Sequence, residues 1–209
     1  MKTRIAFFVL AVFAARAEVL DRIAVSVGKQ VITERDVLRE VRIDAFLDRR
    51  PVEITPEQKR AAADRLVDQL LILEEAALTK VNLSTDEDAR KLLDEVKAPY
   101  GADYQAALER YQITEPDLVK HLVMGLRAMR FTDLRFRPEV QISEEDLRDA
   151  YHSLIAGAPP NGKPAPSFEA SREQLEKLLT DQRTAQTLDQ WLETRRSATQ
   201  ILYHQQVFQ

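Results

Sequence analysis

The chain has 209 residues, 44% of them hydrophobic and 31% charged, with five glycines and no cysteine. That length suffices for one domain with a proper core, and the lack of thiols excludes disulfides, thiol redox chemistry and lipid attachment through cysteine. The formal net charge of −4, which falls to about −7 once Lys2, Arg4 and Arg16 are set aside, argues against nucleic acid as a partner.

The N-terminus reads as a cleavable export signal over residues 1–17. Lys2 and Arg4 form a basic start, Ile5 to Ala14 is an apolar run too short to span a bilayer, and Ala15-Arg16-Ala17 is an A-x-A cleavage site. Cleavage after Ala17 predicts a protein without stable membrane insertion.

Beyond the signal, Ile23, Val25 and Val27 alternate with Arg22, Ala24 and Ser26 as in a half-buried strand. Gly28 and Lys29 turn the chain, and Val31-Ile32 makes a second short strand. A two-strand arm is marginal alone. Gln200-Ile201-Leu202-Tyr203 is the other short β-prone run, and it is predicted to pair with the first strand and close residues 19–208 into one cooperative unit.

Between these strands the chain is helical. Thr33 opens a helix to about Arg49, with Val37, Val41 and Ala45 on one face. Thr55-Pro56-Glu57-Gln58 reads as a capping box with proline at the first helical position. The helix it starts carries Leu66, Leu70, Leu73 and Ala77 on one stripe, with Val67 and Leu71 alongside, an apolar face broad enough to be central. Ser84-Thr85-Asp86-Glu87 starts a third helix, Asp103 to Tyr111 forms a short one, and Thr114-Glu115-Pro116-Asp117 opens a long one ending before Pro138. Ser143-Glu144-Glu145-Asp146 begins a helix ending near Ile155. A Pro/Gly-rich linker follows, and from Ser171 a last helix carries Leu175, Leu178, Gln182, Ala185, Leu188 and Leu192 on one face.

The fold class is therefore mainly α, a multi-helix lobe with a small β-arm made by the N- and C-terminal strands. The leucine stripes account for a core without any cofactor. His121, His152 and His204 fall in separate elements with no ligand neighbours at metal spacing, so no metal and no catalytic histidine is expected. Ser153 and Ser171 lack a nucleophile motif. Lys120, Arg127, Arg130, Arg135 and Arg137 make a basic stretch, read as a solvated face paired with nearby acids rather than as an anion surface.

Several passages together resemble a known family. Asp21-Arg22-Ile23-Ala24-Val25-Ser26-Val27, Val31-Ile32-Thr33-Glu34-Arg35-Asp36, Ile113-Thr114-Glu115-Pro116-Asp117-Leu118 and Ile142-Ser143-Glu144-Glu145-Asp146-Leu147 resemble, in this order, the N-terminal module of the SurA-like periplasmic chaperones. The resemblance covers residues 19 to 155. Ser171 to Phe208 looks like that family's C-terminal segment, which packs back on the N-terminal module. It implies a signal peptide at 1–17, a helical chaperone module at 18–155 and a closing helix and strand at 171–209. Where the family inserts parvulin-type prolyl isomerase domains, this chain has only the linker at 156–170, so no prolyl isomerase activity is expected.

What the resemblance implies is an ATP-independent periplasmic holdase for unfolded exported or outer-membrane proteins, with an apolar cradle between the helical lobe and the last helix. Flexible methionines and rigid aromatics suit a surface that accepts many apolar sequences, which makes Tyr100, Tyr104, Tyr111, Met124, Met129, Phe131 and Phe136 the candidate client-binding residues. Helical spacing assigns about two in three of them to the core. The rival reading is an envelope adaptor that binds one folded partner. A long helix after a flexible linker also permits a homodimer by helix exchange.

Overall fold

A computed structural model describes residues 21–156 and 166–209; the signal segment and residues 157–165 of the Pro/Gly linker lie outside the described residues. Within them the protein is mainly helical with one three-stranded antiparallel sheet, the class the sequence predicts.

The sheet joins the two ends of the chain. Strands β1 (Ile23–Val27) and β2 (Gln30–Thr33) form a hairpin, and β3 (Ile201–Tyr203) pairs with the other side of β1, giving the order β2-β1-β3. Gly28 takes a φ of +55° in the two-residue turn, a conformation costly for a residue with a Cβ. Its N–H donates to Gln200 O at 2.9 Å, so the turn also holds the incoming β3.

The simple alternation predicted for β1 fails at its start. The register shifts between Ile23 and Val25, and such a bulge breaks the two-residue period. Ala24 and Val25 are both buried in consequence, while Ile23 points to solvent.

Among the described residues seven α-helices follow the hairpin: α1 (Glu34–Leu47), α2 (Pro56–Leu78), α3 (Asp86–Lys97), α4 (Tyr104–Tyr111), α5 (Glu115–Arg135), α6 (Glu144–Ala156) and α7 (Phe168–Ala198). Capping chemistry sets most starts. Thr33 with Asp36, Thr114 with Asp117 and Ser143 with Asp146 exchange reciprocal side-chain to backbone bonds. The third helix is capped one residue later than predicted, by Thr85 and Asp88 rather than Ser84 and Glu87, because Arg130 holds Asp88 in place with two bonds of 2.7 and 2.8 Å. Thr55 caps α2 from one side only; the Gln58 side chain turns to Glu53 instead of returning to the cap.

These caps make the fold sensitive to acid. Ser143 and Arg183 hold the Asp146 carboxyl down at about 2, and Arg130 with Thr85 holds Asp88 well below the usual carboxylate range. A depressed carboxyl stabilises the fold fully above its unfolded pKa and ceases to do so as pH falls through the folded one. The melting temperature should therefore drop between about pH 3.8 and about 2. Thermal melts of the wild type and Asp146→Asn should differ at pH 5 and converge across that window; a constant difference would refute the assignment.

Three buried clusters fill the molecule. The first lies under the sheet, where Val25, Val27 and Val37 meet Ala63, Val67 and Leu71 of α2 and Val207 and Phe208 beyond β3. In the second, Phe46 at the end of α1 is surrounded by Tyr104, Leu108 and Tyr111 of α4, with Leu118 of α5. The third joins Ile72 and Ala76 to Phe131 and Phe136, with Leu188 and Trp191 of α7 packed against it.

The last helix begins at Phe168, capped by Ser167, rather than at Ser171, which is buried one turn inside it. Its predicted apolar face is only half right. Leu175 is buried and Leu188 and Leu192 are half-buried, but Leu178, Gln182 and Ala185 face solvent and Thr184 takes the inner position. A helix of 31 residues meets α6 with one end and α2 with the other, so its contact face drifts from a single stripe.

Among the described residues no helix is long and apolar enough to cross a membrane.

Candidate functional site

The leucine stripe predicted to be core on α2 is only partly so: Leu66 and Leu70 pack against the cluster under the sheet without being fully buried. Val67, Leu71, Ile72 and Ala76 take the buried positions, while Leu66, Leu70 and Leu73 are half-buried and Ala77 is exposed. Having one face packed on the sheet and the third cluster, α2 turns this second apolar stripe into a groove.

The groove has a volume of about 460 Å³ and is built from four elements. Helix α2 supplies the leucines, α1 supplies Ile43, α5 supplies Met124, and β2 supplies Val31 and Ile32. At the rim stand Asp36, Arg39, Asp117 and Lys120. Arg39 bridges α1 to α5, bonding Asp36 at 2.8 Å and Asp117 at 3.0 Å. At the other end Gln30 donates to Glu74 at 2.5 Å and ties β2 to α2.

Because β2 is an edge strand, its outer backbone face is unpaired among the described residues, and Gln30, Val31 and Ile32 of this strand line the groove. An edge of this kind accepts an extended chain by main-chain hydrogen bonding. Val31, half exposed at 52%, is on it.

In the groove wall Glu40 and His121 meet. Glu40 is 8% exposed and His121 Nδ1 lies 3.0 Å from its Oε2. Burial alone lowers an imidazole pKa, but the bond and charge of Glu40, with the charge of Asp44, outweigh it and hold His121 above its ordinary value. Burial and then the proximity of Glu40 push the Asp44 carboxyl up, against the pull of Arg65, with which it forms an ion pair. The expectation that the histidines stand apart from acidic groups is thus corrected for His121. Glu40 and Asp44 are one helical turn apart, but only the packing of α1 beside α5 brings the imidazole to them.

Few of the predicted client-binding residues lie at this groove. Met124 lines it. Met129 is 57% exposed and is not among the lining residues. Tyr104, Tyr111, Phe131 and Phe136 are buried, and Tyr100 is half-buried, stacked on Phe46 with ring centroids 4.5 Å apart. These five are packing residues in this state, since the helix spacing that places an aromatic on an apolar face places it in the core. The residues that sequence reading missed are the α2 leucines, and their signal was an apolar face wider than one packing partner needs.

The cradle was expected between the lobe and the last helix. The hollow between α2 and α7 is instead lined mostly by polar groups, Asp68, Asp189, Glu193, Arg196 and Ser197 with Leu192. Arg196 closes that interface by donating to Asp68 at 2.6 Å and Asp64 O at 2.8 Å. Three of the five cations in the predicted basic stretch are paired with acids, Arg130 with Asp88, Arg135 with Glu139, and Arg137, just past α5, with Asp133 and Asp181, while Arg127 donates to Ser84 Oγ instead.

The chain matches no family model and no curated protein sequence.

Proposed function

We propose that the protein is a non-enzymatic holdase of the cell envelope, exported by its N-terminal signal, which binds unfolded exported polypeptides in the groove between α1, α2, α5 and β2. The observation that carries this reading is the leucine stripe of α2, left open beside an unpaired strand edge. An unfolded client offers the two things such a place recognises: apolar side chains for the leucines and Met124, and free main-chain groups for β2. Neither contact depends on one sequence, and a flexible methionine in the wall helps the groove accept different side chains. Binding and release need no nucleotide.

Each client Leu or Phe side chain taken from water contributes about 1.5 to 3 kcal/mol. Several weak, reversible contacts of that size would keep a client from aggregating and still let it go. The charged rim sets no strong preference, and moderate salt should leave binding largely intact because screening acts on charges alone.

Light scattering of a denatured, β-rich exported protein diluted into nucleotide-free buffer tests the proposal. Suppression at near-stoichiometric ratio is expected. Placing a charge in the groove, by Leu73→Glu or Met124→Glu, should weaken suppression on the order of tenfold, equivalent to about 1.4 kcal/mol, while circular dichroism shows the helices intact. Equal suppression by these variants would remove the groove from the mechanism. No suppression of several unrelated clients would remove the general holdase and favour a dedicated folded partner.

A further inference from the structure

Glu40, Asp44 and His121 form a second feature, distinct from the apolar groove although two of them stand in its wall. We infer that these three side chains bind a divalent transition-metal ion, Zn2+ being the probe of choice. One ligand atom from each lies within 4.8 Å of the other two. A tetrahedral zinc centre with bonds of about 2.0 to 2.2 Å sets its ligand atoms about 3.3 to 3.6 Å apart, so a side-chain rotation has to draw the most distant of the three inward by up to about 1.5 Å. His121 Nδ1 and Glu40 Oε2, hydrogen-bonded at 3.0 Å, need part only slightly to admit an ion between them.

The positions are well fixed. Glu40 and Asp44 share one face of α1, and neighbours four apart on a helix have Cβ atoms about 5 to 6 Å apart. The third ligand comes from α5, held there by Leu118, which is fully buried in the cluster around Phe46, and by the Arg39–Asp117 bridge. An ion at this point would tie α1 to α5 a turn along from that bridge.

Two further observations point to a cation. The Glu40 side chain is about nine-tenths buried, and its sole side-chain hydrogen-bond partner among the described residues is His121. Beside it stands a second carboxylate, Asp44, so two like charges share the site with one imidazole. A buried carboxylate is normally paired or metal-bound, and Asp44 is ion-paired with Arg65. The donor set of one imidazole and two carboxylates suits Zn2+ and similar ions rather than Ca2+ or a soft thiolate-seeking metal. Glu40 and His121 line the groove, which gives an ion its path in and leaves its remaining coordination positions to water.

Arg65 competes for Asp44, and this supplies a test that a loose surface association would fail. Isothermal titration of the purified protein with Zn2+, without any client, should show one equivalent bound. His121→Gln and Asp44→Asn should each weaken binding at least tenfold, the lower end of the about 10- to 100-fold that loss of even an outer-shell partner costs, and His152→Gln should bind as the wild type does. Arg65→Gln, a change at a half-exposed side chain, should tighten binding by releasing Asp44. Absence of saturable uptake, or uptake that His121→Gln and Asp44→Asn leave unchanged, overturns the site. Unchanged or weaker affinity in Arg65→Gln overturns the place of Asp44 in it. Since no client enters the measurement, failure of the holdase reading would not alter its outcome.

Discussion

Deleting residues 200–209 should cost the protein its cooperative fold. That segment supplies β3 and the turn after it, where Val207 is 2% and Phe208 9% exposed, inside the cluster that also holds Val25, Val27 and Leu71. Two such side chains contribute about 3 to 6 kcal/mol together, against a net stability of about 5 to 15 kcal/mol for a typical domain. The loss goes further than apolar area. Lys59 on α2 is buried and donates to the main-chain oxygens of Val207 and Gln209, so truncation would strand an ammonium group without acceptors. Tyr203 donates to Asp64 and lies under Arg60, whose guanidinium carbon is 3.6 Å from the ring centroid.

The remaining β1–β2 hairpin would keep its packing on α2 but would lose the strand on the free edge of β1 and the cover of Val207 and Phe208. Urea unfolding of the truncated and full chains, followed by circular dichroism, decides the matter. A midpoint lowered by more than half, or no native baseline, is expected. A truncated chain that unfolds at nearly the wild-type midpoint would show that the helical lobe is stable on its own and that the two ends do not close the fold.

Phe46→Ala should be the most damaging single truncation in the lobe, lowering stability by about 3 to 5 kcal/mol. Phe46 is fully buried. It stacks on Tyr100 and meets the edges of Tyr104 and Tyr111 at centroid distances of 6.3 and 5.5 Å, and aromatic pairs of this kind contribute about 0.5 to 1.5 kcal/mol beyond area burial. The neighbours are poorly placed to fill the gap. Tyr111 donates to Arg50 O at 3.0 Å, and Tyr100 donates to Phe46 O, so collapse into the cavity would break bonds that join α4 and its preceding turn to the end of α1 and the loop after it. Met129→Ala on the exposed side of α5 is the contrasting case, with a change within about 0.5 kcal/mol. Equilibrium denaturation of both variants checks the pair, and a Phe46→Ala effect below about 1 kcal/mol would mean that the cluster repacks freely.

Local chemistry made most of the architecture legible in the sequence. Thr33 with Asp36 and Thr114 with Asp117 mark helix starts because their reciprocal bonds involve residues three apart and need nothing from elsewhere. The pairing of β1 with β3 was readable by elimination, since a marginal hairpin needs another strand and little else in the chain is β-prone. In contrast the cap at Thr85 moved by one residue because Arg130, 42 positions away, grips Asp88. The bulge at Ala24 and the inner Thr184 of α7 have the same origin. Each is settled by what lies opposite it.

The groove shows where that boundary falls. By itself the sequence determined which side chains of α2 are apolar, that they form a face wider than one stripe, and that helices dominate the fold. Only the tertiary structure decided that Val67 and Leu71 face the sheet while Leu66, Leu70 and Leu73 stay partly open, and that Glu40 and Asp44 meet His121 from a helix 81 positions further on. Helical periodicity fixes the angular position of a side chain about its own axis, and burial depends on which neighbour comes to cover that angle. That neighbour is chosen by contacts distant in sequence, whose pairing no local pattern encodes.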